Sequence, residues 1–232
     1  MHPVFTGTVL KQAARASREA YNAKNHTHVA GECEAMLVDY GDGPLFGIQG
    51  TEFDGSGIVF GDMMIDGLAY PWHDPYLGWL HKGFLMGRAL PRPIGDGNKG
   101  GARGLFRTAF ADLKQVHERL FVVGHSKAAA QAPIVAGFLT AFGCPPRGVI
   151  AIDAPRFAAG DGLARVLKKV PVLHIRIPAS PVNRYPKMPY WHYGPGEVLE
   201  LGPPAGFIGD ITAHKIANIE RLIAEHVEAA GL

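Results

Sequence analysis

Residues 120–130 constrain the fold of this chain most strongly. They read L-F-V-V-G-H-S-K-A-A-A, a short apolar run followed by Gly124, Ser126 and an alanine-rich segment. This order predicts a buried strand, a sharp turn and a helix. The turn needs small residues two positions before and two positions after the serine, and Gly124 and Ala128 meet that need. The pattern is typical of a nucleophile elbow, although an ordinary strand–helix junction can also contain Gly-x-Ser.

The length and composition of the chain indicate how many domains it forms and which partners it is not expected to bind. Its 232 residues, 47% of them hydrophobic, are enough for one sizeable core, and no linker rich in Pro, Gly and Ser divides them. We therefore predict a single domain over residues 1–232. The 23 Lys and Arg residues nearly balance the 21 Asp and Glu residues, which gives a formal net charge of +2 without a basic run. We expect no nucleic-acid partner.

The sequence contains no pattern typical of export or membrane insertion. Its first residues lack a basic segment followed by an apolar core, and no apolar stretch reaches the roughly 18 residues that span a bilayer. We expect a cytoplasmic protein, although the sequence leaves secretion open. Cys33 and Cys144 are accordingly expected to be reduced core residues.

Apolar runs and helical patterns alternate along the chain. Residues 35–40 and 44–49 are two apolar runs joined by Gly-Asp-Gly, which predicts a β-hairpin. Beyond residue 104, helical patterns alternate with runs such as 148–152 and 170–178, which are too apolar to face water on either side. The sequence therefore predicts an α/β fold with a mostly parallel, doubly wound sheet and an N-terminal β-hairpin.

Polar residues follow the predicted strands, at the edge where such sheets bind ligands. Thr51, Ser126, Asp153, Ser180 and His214 all lie at or just after the end of a strand. Thr51 comes directly after a glycine, at a place where backbone N–H groups can face a cleft, as an oxyanion hole requires. A Gly-Thr pair also ends ordinary strands, so the residue alone does not identify such a site.

The connection over residues 53–80 is unusually apolar. It contains Met63, Met64, Trp72 and Trp79 among many large apolar side chains. A solvated loop carries few such residues. This lid-like connection is therefore expected either to cover a binding site, as a lid or a pocket wall, or to pack over the core.

Seven segments, taken in order, resemble the motifs of one enzyme family. They are F-G-I-Q-G-T-E, D-M-M-I-D, L-H-K-G-F, F-V-V-G-H-S-K-A-A-A, D-A-P-R, Y-W-H-Y-G-P-G-E-V and A-H-K-I-A-N-I. From about Tyr40 to the C-terminus the chain thus resembles a class 3 lipase, a family with the α/β-hydrolase fold. The resemblance implies hydrolysis of carboxylic esters, with Ser126 as nucleophile and His214 as general base. It also implies an oxyanion hole formed by Thr51 and the backbone N–H of Lys127.

The third member of the triad departs from the family pattern. Where these lipases carry Asp in a D-x-V-P motif, this chain reads S-P-V-N, with Ser180 in the place of the carboxylate. A neutral hydroxyl cannot stabilise an imidazolium by charge. Three interpretations follow: the acid has moved, the enzyme uses a Ser–His dyad, or the protein is inactive.

We predict that the acid has moved to Asp153, at the end of the neighbouring strand, which also supplies the acid in pancreatic-type lipases. A lipase-like branch with the elbow G-H-S-K-G-G likewise has an aspartate at this position. The alternative is that Asp153 is a helix cap or turn residue before Ala154 and Pro155. Asp210, four residues before His214, is a second candidate partner, although a residue on the same loop commonly serves as a cap.

Three further histidines are expected to be structural. His81, His125 and His192 match motif positions that resemble structural ones in the family, where they orient loops by hydrogen bonds. No pair of histidines has the spacing of a zinc site, so we predict neither a metal nor a cofactor. The expected partner is an ester or lipid substrate, with transient contact to a lipid interface and no obligate protein partner.

Two other functions compete with ester hydrolysis. The departures at Ser180 and Ala128 suggest a catalytically silent lipase-like binding protein. The shared triad chemistry also allows an amidase, a peptidase or an acyltransferase that uses the same nucleophile.

Overall fold

The computed structural model describes residues 1–31, 33–50, 71–86, 100–185, 192–202 and 211–232. Within these ranges the chain forms a main sheet of seven strands and a separate sheet of three. The strands in chain order are β1 (His28–Ala30), β2 (Cys33–Asp39), β3 (Pro44–Ile48), β4 (Pro71–Asp74), β5 (Gly78–His81), β6 (Phe121–His125), β7 (Gly148–Ile152), β8 (Ala158–Ala159), β9 (Val172–Arg176) and β10 (Glu197–Glu200).

The main sheet is mostly parallel and has the strand order β1-β2-β3-β6-β7-β9-β10. β1, β2 and β3 pair antiparallel, and β2 and β3 form the predicted hairpin, in which Asp39 pairs with Pro44. From β3 through β10 every neighbouring pair is parallel. All residues of β3, β6 and β7 are buried, which explains why these runs are apolar without alternation. The predicted doubly wound α/β fold is confirmed.

Helices cover both faces of the main sheet. Phe121 and Val123 pack in one core cluster with the N-terminal helix Gly7–Glu19 and the C-terminal helix Ile216–Ala230. Val122 points to the opposite face, where it packs with the helix Gly101–Val116 and the elbow helix, Lys127–Ala141. The shorter elements are the helices Lys82–Met86 and Gly162–Val166 and the 3₁₀ turns Ala23–Asn25, Val182–Arg184 and Ile211–His214.

The predicted connection over residues 53–80 contains regular structure at its C-terminal end. β4 and β5 pair antiparallel, and β5 also pairs with β8. The fully buried Leu77 and Leu80 anchor this hairpin, while Trp72 and Trp79 remain exposed. The buried Asp74 closes its turn by accepting hydrogen bonds from the backbone N–H groups of Tyr76 and Leu77. Residues 53–70, the rest of the predicted connection, lie outside the described ranges.

The described residues include both cysteines and all the helices given above. Cys33 and Cys144 are both buried, as expected of core cysteines. In the part of the chain that the structure describes, no helix has the length and apolarity needed to cross a bilayer.

Candidate active site

Ser126 lies at the tip of a strained turn between β6 and the elbow helix. Its φ of 62° and ψ of −127° belong neither to a strand nor to a helix, and a positive φ is uncommon for any residue with a side chain. Its own backbone is held on both sides, because Ser126 N–H donates to Ile152 O at 3.0 Å and Ala129 N–H donates to Ser126 O at 3.0 Å. The sequence pattern of residues 120–130 thus folds as the predicted strand, turn and helix.

The strand and the helix approach each other closely at Gly124. A Cβ atom placed on Gly124 would lie 2.4 Å from Ala128 O, a separation that real Cβ atoms do not show. Ala128 itself is fully buried, and its methyl group packs in the hydrophobic core. Glycine is therefore required before the serine, whereas alanine fits after it, which explains the G-x-S-x-A form of the elbow.

Ser126, His214 and Asp153 form one continuous chain of hydrogen bonds. His214 Nε2 lies 2.8 Å from Ser126 Oγ, and His214 Nδ1 lies 2.6 Å from Asp153 Oδ2. All three residues are almost completely buried, with exposed fractions of 0% for Ser126 and Asp153 and 1% for His214. Because the carboxylate only accepts, Nδ1 carries the ring proton and Nε2 accepts the proton of the serine hydroxyl.

Asp153 directly follows β7, and its backbone is also strained. Its φ is 51°, and among the described residues only Ser126 and Asp153 combine a side chain with a positive φ. Its N–H donates to Ile175 O at 2.7 Å, while its Oδ1 accepts from Ile177 N–H at 3.3 Å and from the amide of Asn183 at 3.2 Å. The carboxylate thus contacts His214 and the β9 end, while the residue itself lies at the bend after β7.

Ser180 lies beside the same nitrogen of His214 but makes a weaker contact. Its Oγ is 3.4 Å from His214 Nδ1 and accepts a hydrogen bond from Val182 N–H at 3.3 Å. Two strand ends therefore reach Nδ1, and the carboxylate comes from β7. Asp210, the other candidate partner, lies outside the described residues.

His125 supports the turn that carries His214. The two rings stack with centroids 4.6 Å apart, and His125 Nε2 donates to His214 O at 2.8 Å. Its Nδ1 therefore accepts from the hydroxyl of Tyr21, also at 2.8 Å. Burial, with a smaller contribution from the neighbouring His214, holds the pKa of His125 well below its usual value, so this ring is neutral.

The other two predicted structural histidines also contact backbone groups. His81 Nδ1 accepts from Gly83 N–H at 3.2 Å, and His192 Nε2 donates to Gly160 O at 2.9 Å. The His192 bond holds a loop segment, as expected, whereas the His81 bond caps the first turn of the helix Lys82–Met86.

Of the two predicted oxyanion donors, the structure describes Lys127 but not Thr51. Lys127 is the first residue of the elbow helix, so its backbone N–H has no intrahelical acceptor and lies at the positive end of the helix dipole. Thr51 lies outside the described residues, and its role stays a prediction. Within the described ranges, no three His, Cys, Asp or Glu side chains are grouped closely enough to hold a metal ion.

Sequence analysis missed two residues around this site. Asn183 contacts Asp153 across 30 positions of sequence, and Tyr21 contacts His125 across 104. Tyr21 belongs to no local motif, and Asn183 is the last residue of the S-P-V-N segment. The S-P-V-N segment drew attention to Ser180, and its replacement of proline by a hydrogen-bond donor at Asn183 was the available signal.

Comparison with known proteins supports the fold. No protein-family model matches the chain, and no curated protein sequence is significantly similar to it. Among solved structures, a triacylglycerol lipase described as having a serine protease triad at its catalytic centre superposes with a TM-score of 0.64 and 14% identity, over 89% of this chain and 92% of that one.

Two further lipases give similar values. A lipase from Rhizopus microsporus var. chinensis has a TM-score of 0.60 and 16% identity over 86% of this chain and 76% of its own. A triacylglycerol lipase from Penicillium expansum has a TM-score of 0.59 and 12% identity over 85% of this chain and 79% of its own. The chain therefore shares the α/β-hydrolase fold of these lipases, which confirms its resemblance to class 3 lipases at the level of the fold.

Proposed function

We propose that this protein is a serine hydrolase of the lipase or esterase type, which cleaves carboxylic esters through an acyl-enzyme. The observation that carries the proposal is the continuous hydrogen-bonded chain from Asp153 through His214 to Ser126, with bonds of 2.6 and 2.8 Å. Both distances lie within the reach required for proton transfer. The strained, glycine-dependent turn under Ser126 supports the same conclusion, since backbone strain concentrates at functional sites.

In the proposed mechanism, Ser126 Oγ attacks the ester carbonyl carbon while His214 Nε2 takes the hydroxyl proton. The ionised Asp153 stabilises the resulting imidazolium and keeps the ring in the productive tautomer. The backbone N–H of Lys127 and the proposed second donor, Thr51, stabilise the negative charge that develops on the carbonyl oxygen.

Collapse of this tetrahedral intermediate breaks the ester bond, and the leaving alkoxide takes the proton from His214. Water then attacks the acyl-enzyme and gives a proton to His214, and a second tetrahedral intermediate collapses. Breaking the acyl–Ser126 bond returns the proton to Oγ and releases the carboxylic acid. The apolar connection over residues 53–80 is proposed to supply the wall of the acyl pocket or a lid, because its large apolar side chains suit an acyl chain.

The direct test is hydrolysis of short p-nitrophenyl esters by the wild type and by Ser126→Ala. The variant is expected to lose turnover while keeping its fold, because the substitution removes only the hydroxyl group and leaves the rest of the small side chain in place. Ser17→Ala is a matched control: Ser17 is equally buried, and within the described residues its Oγ has no hydrogen-bond partner. Turnover by Ser126→Ala near the wild-type rate would overturn the proposal. A preference for matched amides over esters would favour an amidase instead.

A further inference from the structure

Asn183 is a buried polar residue in the 3₁₀ turn Val182–Arg184, with 2% of its surface exposed. Its amide nitrogen donates to Asp153 Oδ1 at 3.2 Å and to Ile177 O at 2.6 Å. Its own backbone carbonyl accepts a hydrogen bond from the hydroxyl of Tyr193. The amide nitrogen of the side chain therefore has two acceptors, one of which is the Asp153 carboxylate, and the bond from Tyr193 holds the backbone of Asn183.

The hydrogen bonds of Asp153 explain why this donor matters. The carboxylate is completely buried, so water does not compensate its charge. Oδ2 accepts from His214, whereas Oδ1 accepts from Asn183 and, at the longer distance of 3.3 Å, from Ile177 N–H. Without Asn183, a single long bond would hold Oδ1. The carboxylate would then keep its bond to His214 but lose the shorter of the two bonds to Oδ1.

We propose that Asn183 is the positioning residue of Asp153. Its amide donates to Oδ1 while Oδ2 accepts from His214 Nδ1, and this donor stabilises the ionised form of the carboxylate. The meaning of this role for catalysis rests on the proposed function, but the contact itself can be tested without turnover.

The expected effect has a definite sign. The Asp153–His214 unit is negatively charged when the ring is neutral and carries no net charge after it binds one proton. A donor on Oδ1 favours the more negative form, so its removal raises the pH at which the unit takes up that proton. Among the described residues, the other titratable groups that contact or adjoin the unit include the stacked His125 with its partner Tyr21, Tyr193 on the carbonyl of Asn183, Lys127 beside Ser126 and the exposed Lys215 after His214.

The experiment follows the titration of His214 by NMR in protein labelled at histidine, for the wild type and Asn183→Leu. The variant keeps the branching and the number of heavy atoms of the side chain and removes the donor. We expect the titration of His214 to move upward by about one pH unit. Asn183→Ser is the second variant. Its shorter side chain does not reach Oδ1, so the titration of His214 is expected to move in the same direction.

Asn25→Leu is the matched control. Asn25 is partly buried, less completely than Asn183, and likewise donates its amide to a backbone carbonyl, Glu19 O, at 3.0 Å. A loss of packing or of general stability would affect both asparagine variants, whereas only the change at Asn183 should move His214. An unchanged titration of His214 in folded Asn183→Leu or Asn183→Ser would overturn the inference.

A second readout separates this inference from the proposed function. The rate at which a fluorophosphonate labels Ser126 should fall about 10-fold in Asn183→Leu at a pH below the titration, and much less above it. A wild-type protein that labels, combined with an unmoved titration in the variant, overturns the inference and leaves the proposed function intact. A wild-type protein that never labels, combined with a moved titration, overturns the proposed function and supports the contact.

Discussion

Ser126 and Asp153 share a backbone property that ties them to one site. Both have positive φ values, 62° and 51°, and both directly follow a parallel strand of the main sheet. Such conformations cost free energy, so the surrounding hydrogen bonds must hold them. At Asp153 these bonds come from the β9 end and from Asn183, and they direct the carboxylate at His214. The acid is thus positioned by residues far from it in the sequence.

The position of the acid predicts a ranking of two variants. Asp153→Asn is expected to lower kcat by about 10² to 10⁴-fold, because the ring of His214 loses both its orienting partner and the charge that stabilises imidazolium. Ser180→Ala is expected to have little effect, since the Ser180 hydroxyl is neutral and lies 3.4 Å from the ring. Ester hydrolysis by the two purified variants measures the ranking. The reverse order would mean that the enzyme relies on Ser180 and a Ser–His dyad.

The sequence indicated Ser126, Asp153 and His214 as candidate site residues but not the residues around them. Ser126, Asp153 and His214 each follow a recognisable strand or motif, and the structure brings all three within hydrogen-bond distance. Tyr21 was missed because no motif or strand end marks it, and Asn183 was missed because the S-P-V-N segment was interpreted only through Ser180. Spacing within a segment carries no information about such contacts.

At the level of elements, the contact between β6 and the elbow helix holds the site together. Gly124 faces Ala128 O so closely that a methyl group would have to push the helix from the strand. Gly124→Ala is therefore expected to lower the free energy of unfolding by about 1–3 kcal/mol and to reduce activity, because the turn at Ser126 moves with the helix. Urea unfolding and ester hydrolysis measure the two effects.

Gly143→Ala provides the control for this prediction. Gly143 is exposed with a φ of 79°, and a Cβ there would contact nothing within 4 Å. It is expected to cost about 1 kcal/mol from backbone strain, with activity retained. Equal activity in the Gly124 and Gly143 variants would show that the close approach is not needed for the site.

The burial and length of each strand explain which strands could be predicted from the sequence. β6 and β7 were predicted because strands buried on both faces are continuous apolar runs. β4 and β5 were missed because three of the four β4 residues are exposed and the hairpin depends on the buried Leu77 and Leu80. β8, with two residues, is too short for any pattern and exists because it pairs with β5.

For the molecule as a whole, buried histidines make stability depend on pH. Burial lowers the pKa of His81 and of His174 from 6.5 to about 4. The unfolded chain therefore binds protons at these residues at a higher pH than the folded chain does. Their contribution to stability is complete above pH 6.5 and is lost as the pH falls from 6.5 toward 4.

We expect the free energy of unfolding to fall between pH 7.5 and pH 5, by about 2 kcal/mol for each of these two histidines. Urea unfolding at a series of pH values measures the slope. His174→Gln should have a shallower slope than the wild type, since its side chain does not titrate and can still donate to Pro195 O, the partner of His174 Nε2. A wild-type stability that stays constant over this range would contradict the buried, neutral state of both rings.

The proposed function requires the folded chain to present Ser126 as an activated nucleophile. The most direct measurement is labelling by a fluorophosphonate, followed by intact-mass analysis and mapping of the modified peptide. We expect one label per chain, at Ser126, with none on Ser126→Ala and slow labelling of His214→Ala because the general base is lost. A label at another residue would show that Ser126 is not the nucleophile, and a well-folded wild-type chain that remains unlabelled would favour a catalytically silent binding protein.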